Sequence, residues 1–232
     1  MCTFKKIAVS DYGLYRQFHG EGTIEEYAEY LAGLICAEGE GFGGEEIFRE
    51  RVEAAARGNF RKKPDLLIVR EKNLPEETYL KLFRSIWEIC QAAGDPSSML
   101  IPHTHLPAAR LTGGQSLHLP LWLLKKYREQ SVCLPKKDSI SGVTCIGVSV
   151  HSLDEAKTAE SLGASYLTAG HIFATGCKKG APPRGIDFLE AICGNVGIPV
   201  YAIGGIHPEN IHEIQKTKAA GACMMSEYMR NR

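Results

Sequence analysis

Short apolar runs recur along the chain, and most are followed by a segment whose apolar residues have helical spacing. Near-continuous apolar runs of this length are typical of strands buried on both faces, as in a parallel sheet. There are eight, at Ile7–Ser10, Asp65–Arg70, Met99–His103, Ser116–Leu119, Cys145–His151, Ser165–Gly170, Pro199–Gly204 and Ala222–Ser226. Eight strands that alternate with helices predict an α/β fold, a single (β/α)8 TIM barrel over residues 1–232.

Start and stop signals support the helices between these runs. Pro75 suits the first turn of a helix, and Gly94 suits its end. Ser152 predicts an N-cap, with Glu155 three residues later as its capping-box partner. A doubly wound open sheet is the rival fold. That fold normally carries a GxGxxG turn after its first strand, and residues 7–14 contain none.

Two regions depart from an ideal barrel. Residues 11–63 form a long insertion after the first strand, and the segments Thr23–Cys36 and Glu45–Ala56 within it have helical patterns. Only Glu227–Arg232 follow the eighth run, which is too short for a full closing helix. We therefore expect an extended helical insertion and a truncated last helix. Either the extra N-terminal helix or a second subunit would cover the gap, so the sequence leaves a homo-oligomer open.

Composition and charge narrow the function classes. The 232 residues include 27 Lys and Arg against 27 Asp and Glu, whereas nucleic-acid-binding proteins usually carry a basic excess. No apolar run approaches the roughly 20 residues that span a bilayer, and residues 1–6 do not resemble a secretory signal. The eight cysteines are scattered without a CxxC pair, which argues against disulfides and zinc. We expect a cytoplasmic protein with no nucleic-acid or membrane partner.

Polar residues follow several predicted strands at the carboxyl end, where barrels carry their function. His103, His151 and His171 each close or directly follow a run. An imidazole at His171 can exchange a proton near pH 7, although a structural histidine beside a surface loop explains the pattern equally well. Gly204-Gly205 suits a phosphate bound through backbone N–H groups, and a tight strand-to-helix turn is the alternative.

Two further expectations concern the interior of the barrel and its rim. His118 lies in the middle of the fourth run and is expected to be hydrogen-bonded inside the barrel. The loop over residues 175–184 contains glycine, lysine and proline and is expected to fold over a ligand as a lid.

Three motifs resemble those of the thiamine phosphate synthase and TenI superfamily. Arg70-Glu71-Lys72-Asn73-Leu74 resembles the REKDL-like motif that follows strand two in that superfamily. Residues 170–180, GHIFATGCKKG, and residues 202–206, AIGGI, resemble its later motifs. The resemblance extends from about Asp65 to Ser226 and does not explain residues 11–63.

The superfamily has two well-known branches. The synthase joins a pyrimidine diphosphate to a thiazole phosphate and needs Mg²⁺, which two aspartates in its strand-three and strand-four motifs hold. Here these motifs correspond to His103-Thr104-His105 and to residues 118–123, and neither contains an aspartate. Because Mg²⁺ requires hard oxygen ligands, the resemblance favours the other branch, the TenI-type thiazole tautomerases, which share the Gly170-His171 pair.

This resemblance implies a proton shift that converts a dihydrothiazole phosphate carboxylate into its aromatic tautomer, with His171 as acid and base and no cofactor. It implies that the small-molecule thiazole phosphate is bound by Arg70, Lys72, His103, His151 and Lys178, with its phosphate at Gly204, Gly205 and Ser226. No metal ligand is expected. Mg²⁺ enters only under the alternative of a thiamine phosphate synthase, and a non-catalytic phosphate-binding barrel with a regulatory role is a further alternative. Glu227 stands where TenI proteins have glycine, and its carboxylate repels a phosphate unless it points away.

Overall fold

A sheet of eight parallel strands forms the centre of the protein. The structure is a computed structural model that describes residues 3–36, 63–94, 99–129, 143–178 and 180–230. Each strand overlaps one of the eight predicted runs. The strands are β1 (Lys5–Val9), β2 (Leu66–Val69), β3 (Leu100–Pro102), β4 (Ser116–Pro120), β5 (Cys145–Val150), β6 (Tyr166–Gly170), β7 (Val200–Ile203) and β8 (Gly221–Met224).

The sheet curls into a nearly closed barrel. Its strand order is β3-β2-β1-β8-β7-β6-β5-β4, and the paired neighbours are parallel. The two end strands meet at a parallel bridge between His103 and His118, where the Thr104 N–H donates to the His118 carbonyl at 2.9 Å. The predicted (β/α)8 TIM barrel is confirmed, and the rival open sheet is wrong.

Helices connect the strands in the described part of the chain. They are α1 (Tyr12–His19), α2 (Ile24–Ile35), α3 (Glu76–Ala92), α4 (Leu106–Leu111), α5 (Leu121–Glu129), α6 (Leu153–Ser161), α7 (Gly185–Cys193), α8 (Ile211–Gln215) and α9 (Ser226–Met229). Local signals set several of these ends. Pro75 precedes α3 directly, and Gly94 has the positive φ of +70° that suits a helix stop.

The predicted capping box at α6 is only half correct. The Glu155 N–H donates to Ser152 Oγ at 3.0 Å, as expected of an N-cap. However, the Glu155 carboxylate accepts from the backbone N–H of His151 at 2.6 Å instead of returning to Ser152. The helix start therefore fixes the main chain of a predicted site residue. A complete capping box forms at α2, between Thr23 and Glu26.

The N-terminal helices cover the short last helix. The predicted helix over 23–36 is observed as α2, which packs against α3, whereas α1 was not expected from the sequence. α1 packs on α9, and His19 Nε2 lies 2.9 Å from the Met229 carbonyl. Within this chain, the N-terminal helices thus pack over α9. The predicted helix at 45–56, like the rest of 37–62, lies outside the described residues.

The apolar runs are buried on both faces of the sheet, as their composition predicts. Alternate residues such as Ile7 and Val9 fill the barrel with Ile68, Tyr166 and Cys223. The intervening positions pack outward against the helices. None of the helices in the described ranges combines the length and apolar character that crossing a bilayer requires.

Candidate active site

A cavity of about 780 Å³ opens at the carboxyl ends of the strands. Polar and basic side chains share its wall with the glycines after β7. All nine predicted site residues line it: Arg70, Lys72, His103, His151, His171, Lys178, Gly204, Gly205 and Ser226. These residues span 157 positions of the sequence. They lie together because the strands that carry them finish at the same end of the barrel. Their individual roles stay predictions.

Three cationic side chains lie close together on one side of the cavity. Arg70 is the main cause of a lowered pKa at Lys72, with burial and the charge of Lys178 adding to it. Among the described residues, Asp11 is the carboxylate that forms an ion pair with these cations. Its Oδ2 lies 3.9 Å from Arg70 Nη1. Mutual repulsion among the cations favours an anionic ligand at this side.

Glu71 lies between two of these cations in sequence, and the sequence interpretation gave it no role. It is 7% exposed, and burial raises the pKa of its carboxyl group. Ser10 Oγ and Tyr27 Oη donate to Glu71 Oε1 at 2.5 and 2.7 Å, and the Tyr12 N–H donates to Oε2 at 2.8 Å. Its placement inside a basic, strand-ending motif is the sequence signal that could have identified it.

His171 follows β6 and is 6% exposed. Its Nε2 lies 3.3 Å from the Ala181 carbonyl. A carbonyl can only accept, so we assign the proton of the neutral ring to Nε2, which leaves Nδ1 with a lone pair. Nδ1 is buried and has no hydrogen-bond partner among the described residues. An unprotonated, unpartnered nitrogen beside a ligand cavity can take a proton from a ligand.

His151 follows β5, and its ring also contacts a backbone carbonyl, but through the other nitrogen. Its Nδ1 lies 2.8 Å from the Gly170 carbonyl, which assigns the ring proton to Nδ1 and the lone pair to Nε2. Because Gly170 directly precedes His171, the two predicted site histidines are linked through one peptide segment. His151 is thereby able to accept a hydrogen bond in the cavity.

His103 and His118 are neutral rings. Burial, with the neighbouring His118 and Arg70, lowers the pKa of His103 to about 2. Burial lowers the pKa of His118 to about 3. His118 contacts Tyr166 Oη at 3.0 Å and Ser149 Oγ at 2.8 Å, which confirms its predicted place in a hydrogen-bond network inside the barrel. His103 can therefore bind a ligand as a neutral polar group.

Gly204 and Gly205 form the tight turn that the sequence interpretation gave as the alternative to a phosphate site, and they also pack closely on a neighbouring segment. Both have positive φ, +101° and +65°, and a Cβ on Gly205 would lie 2.3 Å from the Ala174 carbonyl oxygen. The Phe173 N–H donates to the Gly204 carbonyl at 3.0 Å. The glycines thus allow the turn after β7 to pack directly on the segment that follows His171. Asn210 fastens the same turn, because its Nδ2 donates to the Gly205 carbonyl at 2.9 Å.

Glu227 borders the same end of the cavity as Ser226, at the start of α9. Its side chain is 20% exposed, and Oε1 lies 4.0 Å from Arg230 Nη1. The carboxylate expected to oppose a phosphate therefore has a cationic partner nearby. A partner of this kind reduces its repulsion of an anion.

The loop predicted as a lid is attached to the His171 segment through its C-terminal half. It contains a single turn of 3₁₀ helix at Gly176–Lys178, and Lys179 lies outside the described residues. On the far side, the Arg184 N–H donates to the His171 carbonyl at 3.0 Å. Together with the bond between Ala181 and His171, this places the loop over the His171 ring.

The acidic residues around the cavity do not suit Mg²⁺. Glu71 and Glu227 are the carboxylates among its described lining residues, and both carboxylate oxygens of Glu71 accept hydrogen bonds from protein donors. Thr104 and Leu123 stand where the synthase motifs would have aspartates. Across the part of the chain that the structure describes, no cluster of three or more His, Cys, Asp or Glu side chains could hold a metal ion. The donor set does not fit a magnesium diphosphate site.

Sequence comparisons identify relatives of this chain. The profile of the thiamine monophosphate synthase family matches residues 34–228. A protein named thiamine-phosphate synthase 2 from Streptococcus pneumoniae serotype 4 is 33% identical over 79% of this chain and 81% of its own length. A thiamine-phosphate synthase from Syntrophomonas wolfei is 30% identical over 78% of this chain and 80% of its own length.

A solved structure shares the fold. It is a thiamine phosphate pyrophosphorylase from Pyrococcus furiosus, with a TM-score of 0.64 and 23% sequence identity. The match covers 98% of this chain and 88% of that chain. At this identity the likeness supports the barrel and not a particular reaction.

Proposed function

We propose that this chain, which belongs to the thiamine monophosphate synthase family, is a thiazole tautomerase of thiamine biosynthesis. The chemistry of its cavity, and not the names of its relatives, supports this choice within the family. Its substrate would be a dihydrothiazole phosphate carboxylate, which becomes its aromatic tautomer, a thiazole phosphate that keeps the carboxylate. One observation supports the choice of a proton transfer: His171 borders the cavity, and its buried Nδ1 has no hydrogen-bond partner among the described residues.

The proposed reaction needs only a base that can return the proton. His171 Nδ1 takes the proton from the ring carbon, and the electron pair of the broken C–H bond enters the ring system that becomes aromatic. His171 then gives the proton to the carbon at the other end of that system, so atoms and charge balance. Arg70, Lys72 and Lys178 would hold the carboxylate or phosphate, and His103 and His151 would bind the ligand as neutral polar groups.

The turn after β7 would hold the phosphate. Gly204, Gly205 and Ser226 border the cavity, and this position in a TIM barrel commonly binds phosphate, here through their backbone N–H groups. Asn210 and the packing of the two glycines keep this turn in place without ligand. We likewise propose that these residues bind the phosphate and that the protein is cytoplasmic.

A thiamine phosphate synthase is the second candidate. The names of the relatives favour it over the tautomerase, because they are named as synthases. Against it stands the donor set of the cavity, which lacks the carboxylates that a magnesium diphosphate requires.

The experiment supplies the purified protein with the substrates of each reaction in turn and measures the products. We expect conversion of the thiazole tautomer, unaffected by EDTA. We expect no diphosphate release from pyrimidine diphosphate and thiazole phosphate with Mg²⁺. Diphosphate release without tautomer conversion would establish the synthase. Tight binding of the thiazole phosphate with neither reaction would favour the non-catalytic barrel.

Replacing His171 tests the assigned base. The His171→Asn variant should bind carboxythiazole phosphate as the wild type does, since an amide still forms hydrogen bonds. Its kcat should fall about 10²–10⁴-fold, the usual contribution of a positioned acid or base. Steady-state kinetics and calorimetry separate the two effects. Wild-type turnover in this variant would exclude His171 and direct attention to His151 or His103.

A further inference from the structure

Glu71 is a buried carboxylate that the proposed reaction does not use. It borders the cavity, yet its oxygens receive three hydrogen bonds from elsewhere in the fold. The donors are Ser10 after β1, the backbone of Tyr12 at the start of α1, and Tyr27 in α2. One side chain therefore joins the turn after β2 to three separate places in the N-terminal segment.

The same network reaches the main chain of Arg70. The backbone N–H of Arg70 donates to Ser10 Oγ at 2.8 Å, and this hydroxyl in turn donates to Glu71 Oε1 at 2.5 Å. Ser10 is fully buried. Because Arg70 and Lys72 flank Glu71, these bonds fix the backbone from which both cationic side chains extend.

We propose that Glu71 is a positioning residue that sets Arg70 and Lys72 for the anionic groups of the ligand, an inference that rests on the proposed function for the identity of that ligand. Arginine and lysine side chains are flexible, and binding must restrict them. A backbone fixed before the ligand arrives lowers the cost of that restriction. Glu71 would thus affect affinity without touching the reacting atoms.

The sign of the effect separates positioning from simple electrostatics. A negative charge beside two cations weakens their attraction for an anion, so its removal should tighten binding by Coulomb's law. Loss of positioning should instead weaken binding. Glu71→Gln distinguishes the two, because it keeps the shape of the side chain and removes the charge. The new amide NH₂ cannot accept a hydrogen bond where a carboxylate oxygen did.

The experiment measures affinity and turnover separately. Calorimetry with carboxythiazole phosphate and, in parallel, with inorganic phosphate should show a Kd about tenfold or more weaker in Glu71→Gln. KM should rise likewise, while kcat stays within about twofold of the wild type. Tyr30→Phe is the matched control. It removes a buried hydroxyl bond to the Tyr228 carbonyl from the same helix α2, without touching Glu71, and should keep the wild-type Kd.

Several results would overturn the proposal. They are an unchanged or tighter Kd in Glu71→Gln, equal weakening in Tyr30→Phe, or a fall in kcat at constant KM. If Glu71→Gln does not fold, Ser10→Ala decides. It keeps the carboxylate and removes the hydroxyl between Glu71 and Arg70, so Kd should weaken several-fold, and an unchanged Kd would refute the inference. A wild type that binds these anions without turnover would refute the tautomerase alone.

Discussion

Burial fixes the charge of two histidines, His103 at the rim of the cavity and His118 inside the barrel. His103 and His118 have rings whose centroids lie 5.8 Å apart, and burial together with nearby cations favours the neutral form of each. A charge on either ring would oppose the charge of Arg70. The basic side of the cavity therefore owes its charge to arginine and lysine, and its polarity elsewhere to neutral imidazole.

His103 should make stability depend on pH. Its folded pKa of about 2 lies below the ordinary value of 6.5, so the unfolded chain binds more protons between these values. This contribution to stability is fully present above pH 6.5 and is lost as the pH falls toward 2. His103→Asn should flatten the profile by up to about 1.4 kcal/mol per pH unit. Urea unfolding between pH 5 and 7.5 measures it, and parallel profiles for the two proteins would contradict the prediction.

At the scale of elements, two neighbouring strand-to-helix connections support each other. The segment after β6 carries His171, and the turn after β7 carries Gly204 and Gly205. The Ile172 N–H donates to the Ile203 carbonyl at 3.0 Å, so the strand pairing continues into the connections. The predicted base and the predicted phosphate turn are consequently one packed unit.

Three glycine variants test this packing. Gly205→Ala places a Cβ 2.3 Å from the Ala174 oxygen, at a residue whose φ is +65°. Gly180→Ala has a similarly unfavourable φ of +83°, but its Cβ would lie in open space. Gly176→Ala meets neither obstacle. The positive φ costs about 1–3 kcal/mol, so we expect that loss for Gly180→Ala, a larger one for Gly205→Ala and almost none for Gly176→Ala. Urea midpoints give the order, and equal values for the first two would show that the close approach is not needed.

Across the whole molecule, the N-terminal helices α1 and α2 and the last described helix, α9, pack together. α1 and α2 carry the aromatic cluster of Tyr15, Tyr27 and Tyr30, which lies beside α9. Met229 of α9 is fully buried, and Tyr27 Oη lies 3.6 Å from its Sδ. The N-terminal helices therefore hold both the Glu71 network and the helix that begins at Ser226.

Truncating Met229 tests this bracing. Met229→Ala should lower the free energy of unfolding by about 2–5 kcal/mol, since a fully buried side chain leaves a cavity. Arg230→Ala is the neighbouring control. Its side chain is 61% exposed, so its loss should cost about 1 kcal/mol or less. Chemical denaturation compares the two, and similar small losses would mean that α9 is not part of the core.

The sequence predicts the barrel well because parallel strands buried on both faces have a distinct pattern. It also places His171 and Arg70 at one end, since every strand of such a barrel ends there. It does not predict partners that meet only in three dimensions. The bond from His171 to the Ala181 carbonyl and the donors around Glu71 depend on the packing of separate segments. Helix α1 is short, and its N-cap at Asp11 gives a weak signal on its own.

The bridge between His103 and His118 is the junction at which the two end strands of the sheet close the barrel, and it lies at the rim of the cavity. We call this junction the seam. Elsewhere adjacent strands share ladders of several residues, but β3 and β4 are joined by this one bridge in the described chain. Local opening follows the lowest free energy, so transient parting of the wall would begin beside the ligand cavity. A ligand that contacts both His103 and Pro120, which line the cavity from the two sides of the seam, would hold β3 and β4 together. Binding would then stabilise the closed barrel against this opening, so the substrate would contribute to the stability of the protein that binds it.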